Sequence, residues 1–135
     1  MIEEDVKRYI SSIKEEFILI NSAAIVGSVH FGLEQENLLI EENTKINLNI
    51  FSALNQVDIR FKLLNYLSNC LYPHKTDIQR EPEIFEGEPH ASALAYAHTK
   101  RHSMILFEIL KNKKNCSINQ LILPGVFGAG NHLKE

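Results

Sequence analysis

Cysteine is scarce: Cys70 and Cys116 are the only two in 135 residues. They stand too far apart for a disulfide framework or a zinc-ligand spacing, which suits a reducing compartment. There is no basic excess, since 14 Lys and Arg against 17 Asp and Glu leave a net charge of −3 and a pI of about 6.1. No segment carries a basic stripe, so a nucleic-acid surface is not expected. Long hydrophobic runs are lacking too. The longest, 17–29, is interrupted by Asn21 and Ser22 and is shorter than the roughly 20 apolar residues a bilayer span requires. The opening Met-Ile-Glu-Glu-Asp is acidic and unlike a signal peptide. Repeats and low-complexity segments are absent. These absences predict a soluble, cytoplasmic protein with neither nucleic acid nor membrane as partner. What is present is a globular composition: hydrophobic residues make up 44% of the chain, enough for a core in one domain over 1–135.

Apolar spacing sets out the elements. Val6, Ile10 and Ile13 lie three or four apart, predicting a helix over 3–15. Phe17 to Ile20 is a compact run suited to a buried strand, and small residues follow from Ser22 to Gly27. Leu39, Ile46, Ile50, Phe51 and Leu54 share one side of a helix over 36–55. A strand over 63–67 leads into a loop from Asn69 to about His90, with Pro73, Pro82, Pro89 and Gly87. Loops of that length are usually functional. A helix over 91–112, opened by Ser92 as a cap, a strand over 121–123 and a breaker-rich turn over 124–130 complete the chain. Helix and strand alternate, which predicts right-handed crossovers and a parallel α/β sheet of three strands with flanking helices.

In open α/β sheets, ligands bind beyond the carboxyl ends of the strands. The segments 23–27, 68–73 and 124–128 fall there. Tyr96 and Lys100 are four apart on a helix and share a face. A tyrosine hydroxyl has an ordinary pKa of about 10, and a nearby ammonium lowers it by favouring the phenolate. Such a tyrosine can exchange a proton with a carbonyl oxygen that a serine hydroxyl also holds. Alone, the spacing is common, and the plain alternative is a half-buried tyrosine beside a solvated lysine. His98 and His102 form a second pair of the same spacing that could hold zinc. No third ligand lies near them in sequence, and no metal is expected.

The order of the motifs is more specific. Leu67-Ser-Asn-Cys-Leu-Tyr-Pro73, then Glu81, then Gly87-Glu-Pro-His90, then Tyr96-Ala-His-Thr-Lys-Arg101 resembles the extended short-chain dehydrogenase/reductase family in its GDP-L-fucose synthase branch. Upstream, Asn21-Ser-Ala-Ala-Ile-Val-Gly27 is similar to the family's small-residue turn, and Asn43 and Asn49 match asparagines of the next helix. Downstream, Leu123-Pro-Gly-Val-Phe-Gly128 resembles a later turn. The resemblance implies an NADP(H)-dependent epimerase/reductase acting on a nucleotide sugar. Tyr96 would donate a proton to the keto oxygen. Lys100 would lower the Tyr96 pKa and bind the nicotinamide ribose. Ser68 would orient the ketone, and Cys70 would serve as acid/base in epimerisation. Ala23, Ala24, Leu67 and Pro124 would line the cofactor together with Tyr96 and Lys100, while Val26, Gly27 and Asn69 would face the sugar. The family's homodimer forms through the two long helices. Other nucleotide-sugar epimerases and dehydratases share much of this pattern.

The departures from that pattern are also specific. The Gly-x-x-Gly-x-x-Gly phosphate-binding turn does not occur. The first strands of the expected sheet and the C-terminal substrate domain have no counterpart, so an incomplete Rossmann-type domain is expected. His132 does not fall where the family's second epimerisation acid/base would stand, and Pro124-Gly125 shortens a turn that carries a ligand-touching asparagine. Two readings follow: a fragment of a larger sugar-nucleotide enzyme, or a catalytically inactive remnant that serves as an interaction module. In either case the edge of the Phe17–Ile20 strand should be uncovered.

Overall fold

The computed structural model describes residues 2–74, 78–113, 116–126 and 128. Four helices and three strands form it: α1 (Ile2–Ser12), β1 (Phe17–Asn21), α2 (Val29–Glu34), α3 (Glu36–Asn55), β2 (Phe61–Ser68), α4 (Leu94–Lys113) and β3 (Cys116–Leu123). Single 3-10 turns occupy 69–71, 81–83 and 91–93. The sheet has the order β1-β2-β3 with both pairings parallel. The expected Rossmann-like α/β architecture with three strands is therefore present.

The strands are longer than apolar runs alone suggest. β2 begins at Phe61 and β3 at Cys116, where the sequence reading began them at 63 and 121. Lys62, Ser117 and Asn119 hid the extension. They alternate with Phe61, Leu63 and Ile118 and are exposed, while those three are buried. Among the described residues only one side of the sheet is covered, so period-2 alternation marks these strands instead of a solid apolar run.

The covered side is built from both sheet and helices. Ile10 of α1, Ile50, Ala53 and Leu54 of α3, and Phe107 and Leu110 of α4 pack with Phe61, Leu63 and Ile118. Phe17 and Phe61 are register partners, and their rings stack with centroids 5.7 Å apart. On the opposite side, Ile18 and Ile20 are 67% and 56% exposed. β1 is an edge strand among the described residues, as expected.

At the next level toward the carboxyl ends, the covered side turns polar. Asn21, Asn65 and Gln120 are register partners across all three strands. Asn21 Nδ2 donates to Asn65 Oδ1 (2.8 Å), and Asn65 Nδ2 donates to Gln120 Oε1 (3.2 Å) and Ser103 Oγ (3.3 Å). Gln120 Nε2 reaches the Met104 carbonyl at 3.0 Å. Buried amides of this kind are stable only when paired, and this crossbar pairs them while tying the sheet to α4. Beyond it, Leu67, Leu71 and Ile84 close a second, smaller core.

α2 was not anticipated. Its six residues are capped by Ser28, whose hydroxyl accepts from the Phe31 amide at 3.2 Å. α4 begins at Leu94 after the 91–93 turn, and the cap there is His90 rather than Ser92. The His90 Nδ1 accepts from the Ser92 amide at 3.1 Å. In the turn expected over 124–130, Phe127, Ala129 and Gly130 lie outside the described residues, as does His132.

Candidate functional site

The site forms where β2 ends. Ser68 is its last residue, and its hydroxyl accepts from the Cys70 amide at 3.4 Å, opening the 69–71 turn. That turn folds the chain back so that Cys70 faces α4, half-buried, while Asn69 is exposed. Leu67 points the other way, into the small core.

α4 supplies the other two groups. Tyr96 is half-buried and Lys100 buried, with the Lys100 ammonium 5.5 Å from the Tyr96 ring centroid. Lys100 Nζ donates to the Tyr66 carbonyl of β2 at 3.0 Å, which anchors the helix to the strand carrying Ser68. Helix and strand thus bring Ser68, Cys70, Tyr96 and Lys100 together from two separate stretches of sequence.

Their proton affinities follow from burial. Burial pushes the Cys70 thiol up, and Ser68 and Lys100 oppose that shift. Burial pushes the Lys100 ammonium down, with Cys70 partly opposing it. Tyr96 is pushed up to about 12, by burial first and then by the charge of Cys70. This corrects the expectation that Lys100 lowers the Tyr96 pKa. The ammonium is engaged by the Tyr66 carbonyl, and desolvation dominates. Tyr96 is therefore held protonated at neutral pH, the state a proton donor needs.

The turn after β1 is held by α3. Asn43, buried, accepts from the Ile25 amide at 2.8 Å and donates to the Ile25 carbonyl at 3.0 Å, replacing a strand partner with one side chain. Asn21 Oδ1 accepts from the Ala23 amide at 3.2 Å. Asn47 donates to the Thr99 carbonyl at 2.9 Å, crossing from α3 to the turn of α4 that bears Lys100. The sequence comparison singled out Asn43 and Asn49. In the fold the buried pair is Asn43 and Asn47, four apart on one side of α3, a spacing that could have shown it.

Val26 and Gly27 meet Tyr96 in a hollow of about 130 Å³, also lined by Gly32, Leu39 and Ala93. Gly32 lies against the Ser92 carbonyl, so α2 closes one wall. Ala23 does not join that hollow. It lines a separate groove of about 480 Å³ with Tyr9 and Ile10 of α1 and Ile20 of β1. Ala24 is half-buried and Pro124 exposed just beyond β3. His98 Nε2 lies 3.1 Å from Glu88 Oε2, whereas His102 Nδ1 is buried without a hydrogen-bond partner. No group of three or more side chains able to hold a metal is assembled among the described residues. No helix among them is long and apolar enough to cross a membrane.

Comparison with known proteins agrees with this arrangement. The model of the NAD dependent epimerase/dehydratase family matches residues 2–135. A GDP-L-colitose synthase of Yersinia pseudotuberculosis is 31% identical over 112 residues, which is 82% of this chain and 36% of that protein. A GDP-L-fucose synthetase of Naegleria fowleri, solved bound to NADP, superposes with a TM-score of 0.73 at 25% identity, over 93% of this chain and 39% of that one. A GDP-D-glycero-L-gluco-heptose synthase of Campylobacter jejuni, solved in the presence of NADPH, superposes with a TM-score of 0.80 at 22% identity, over 96% and 38%. The chain thus spans a little over a third of the length of these relatives. By its matched family model, and with a parallel sheet that presents Ser68, Tyr96 and Lys100 at one strand end, the chain belongs to the NAD dependent epimerase/dehydratase family.

Proposed function

We propose that this chain is the catalytic segment of an NADP-dependent GDP-sugar epimerase/reductase of the GDP-L-fucose synthase type, acting on a 4-keto-6-deoxy sugar nucleotide. The observation that carries this reading is the convergence of Ser68, Cys70, Tyr96 and Lys100 beside the hollow lined by Val26 and Gly27. The names of the similar proteins, which act on GDP-linked sugars, supply the substrate class.

The residues fit a nicotinamide cofactor. Ala23 and Ala24 have small side chains at the end of β1, and Lys100 offers an ammonium to a ribose hydroxyl. When bound, NADPH supplies the hydride. This chain's own residues handle the proton. Tyr96, its pKa pushed up to about 12 by burial, donates it to the ketone oxygen, and Ser68 holds that oxygen with its hydroxyl. Cys70, kept as a thiol by burial, exchanges a proton at the carbon next to the ketone. Asn69, exposed beside Cys70, and Pro124, Val26 and Gly27 complete the roles for substrate and cofactor contact, whereas the Leu67 side chain packs into the small core.

A second copy of the chain is the expected partner, through α3 and α4. Leu48 of α3 and Ile105 and Ile109 of α4 are 44%, 48% and 40% exposed, and the two helices pack on each other. A four-helix interface would cover these side chains, and sedimentation equilibrium would show a dimer.

Titration of the chain with NADPH, followed by nicotinamide fluorescence, tests the function. Saturable binding that Lys100→Ala abolishes is expected, followed by NADPH consumption on GDP-4-keto-6-deoxy-mannose. A folded chain that binds no NADPH at millimolar cofactor would overturn the proposal for this chain and favour the interaction module.

A further inference from the structure

Arg101 follows Lys100 directly and is buried, with 7% of its surface exposed. A buried guanidinium normally sits against a carboxylate. Here its hydrogen-bond partners among the described residues are backbone carbonyls. Nε donates to the Leu71 carbonyl and Nη2 to the Gly87 carbonyl, each at 2.8 Å. The guanidinium also lies 5.7 Å from the centroid of the Phe85 ring, and Glu88 favours its charge from nearby.

The two carbonyls have a meaning in the chain. Leu71 ends the turn that bears Cys70, and Gly87 lies where the long loop returns toward α4. One side chain therefore holds both ends of the Leu71–Gly87 loop against the helix that carries Tyr96 and Lys100. Second bonds brace the same junction. The His74 amide donates to the Glu88 carbonyl at 2.8 Å, and the His74 and His90 rings meet edge to face at 4.5 Å. Ile84 and Leu71, both buried, pack beneath it.

We propose that Arg101 is a positioning residue that clamps the Leu71–Gly87 loop and thereby sets the depth at which Cys70 faces Lys100 and Tyr96. This deepens the function proposed above and rests on it for the role of Cys70, but its physical content does not depend on turnover. The guanidinium holds its Nε and Nη2 donors apart in one fixed plane, each aimed at its own carbonyl. Lysine has the charge but not the span.

Alkylation of Cys70 by iodoacetamide, followed against pH by peptide mass spectrometry of the full chain, tests the clamp, with Cys116 as the internal reference. The titratable groups facing Cys70 are Tyr96 and Lys100 of α4, and Glu88 faces Arg101. For Arg101→Met, Cys70 should react several-fold faster, and its pH midpoint should fall as the site becomes wetter. Cys116 should be unchanged, and added guanidinium should restore the slow rate. Arg101→Lys should lie nearer to Met than to the parent chain, and it decides the matter if Arg101→Met fails to fold. Equal acceleration of Cys70 and Cys116, or no change at Cys70, would overturn the clamp. Failure of NADPH binding with the Cys70 effect intact would count against the proposed function alone.

Discussion

Replacing Asn65 by leucine would remove the centre of the crossbar while keeping the branching and the number of side-chain heavy atoms. Asn65 is fully buried and makes three side-chain hydrogen bonds. Its partners differ in what they can recover. Ser103 keeps the Lys100 carbonyl as acceptor at 2.9 Å. Gln120 is half-buried and keeps Met104, so its oxygen can turn to water. Asn21 is 4% exposed, and its Nδ2 donor loses its acceptor in the sheet. One orphaned buried donor costs about 1–3 kcal/mol, and the two longer bonds add about 1 kcal/mol net. The sum is about 2–4 kcal/mol. For a chain of 135 residues each kcal/mol moves Tm by about 3–5 °C, so a fall of about 6–20 °C is expected. Urea unfolding followed by circular dichroism, with the slope m unchanged, would measure it. The double variant Asn21→Leu/Asn65→Leu removes the orphan itself and should be more stable than the sum of the two single changes by about 1–2 kcal/mol. A loss below about 0.5 kcal/mol for Asn65→Leu, or strict additivity of the pair, would refute the reasoning.

Three further outcomes follow from the site. Ser68→Ala removes an interaction that lowers the Cys70 pKa, so the pH midpoint of Cys70 alkylation should rise; a fall would contradict the geometry. Tyr96 has its folded pKa raised from 10.0 to about 12. Its contribution to stability is therefore complete below pH 10 and is lost as pH rises through about 12. Tyr96→Phe should flatten the stability profile in that window, and an unchanged profile in urea melts would count against the shift. An added methyl at Gly27 would sit 2.3 Å from Phe31 Cδ1 and 2.9 Å from its Cβ. Gly27→Ala should therefore displace Phe31 and α2 at a cost of about 1–3 kcal/mol, visible as faster amide exchange in α2 than in the sheet.

Much of the site was legible because its chemistry sits in contiguous strings. Ser68 closes a strand and Cys70 lies in the turn directly after it, and Tyr96 and Lys100 share a helical face, so order and spacing alone pair them. Arg101 stood in the same string without a role, since its partners are backbone carbonyls at Leu71 and Gly87, and carbonyls leave no mark in composition. Asn65 and Gln120 read as polar interruptions of apolar strands. Only pairing in register makes them mutual partners.

By itself the sequence determined the α/β alternation, the apolar faces of α1 and α3, and the helical spacing of Tyr96 and Lys100, because each depends on residues within a few turns of one another. Tertiary structure alone decided the rest. β2 and β3 extend to Phe61 and Cys116 because one side of the sheet is open among the described residues, and open strands alternate. α2 exists because Ser28 caps it and Gly32 fits against the Ser92 carbonyl. The Tyr96 pKa rises instead of falling because burial outweighs an ammonium that a carbonyl of β2 has already engaged. Desolvation and hydrogen-bond competition depend on what surrounds a group in space, and the linear order of residues does not specify those surroundings.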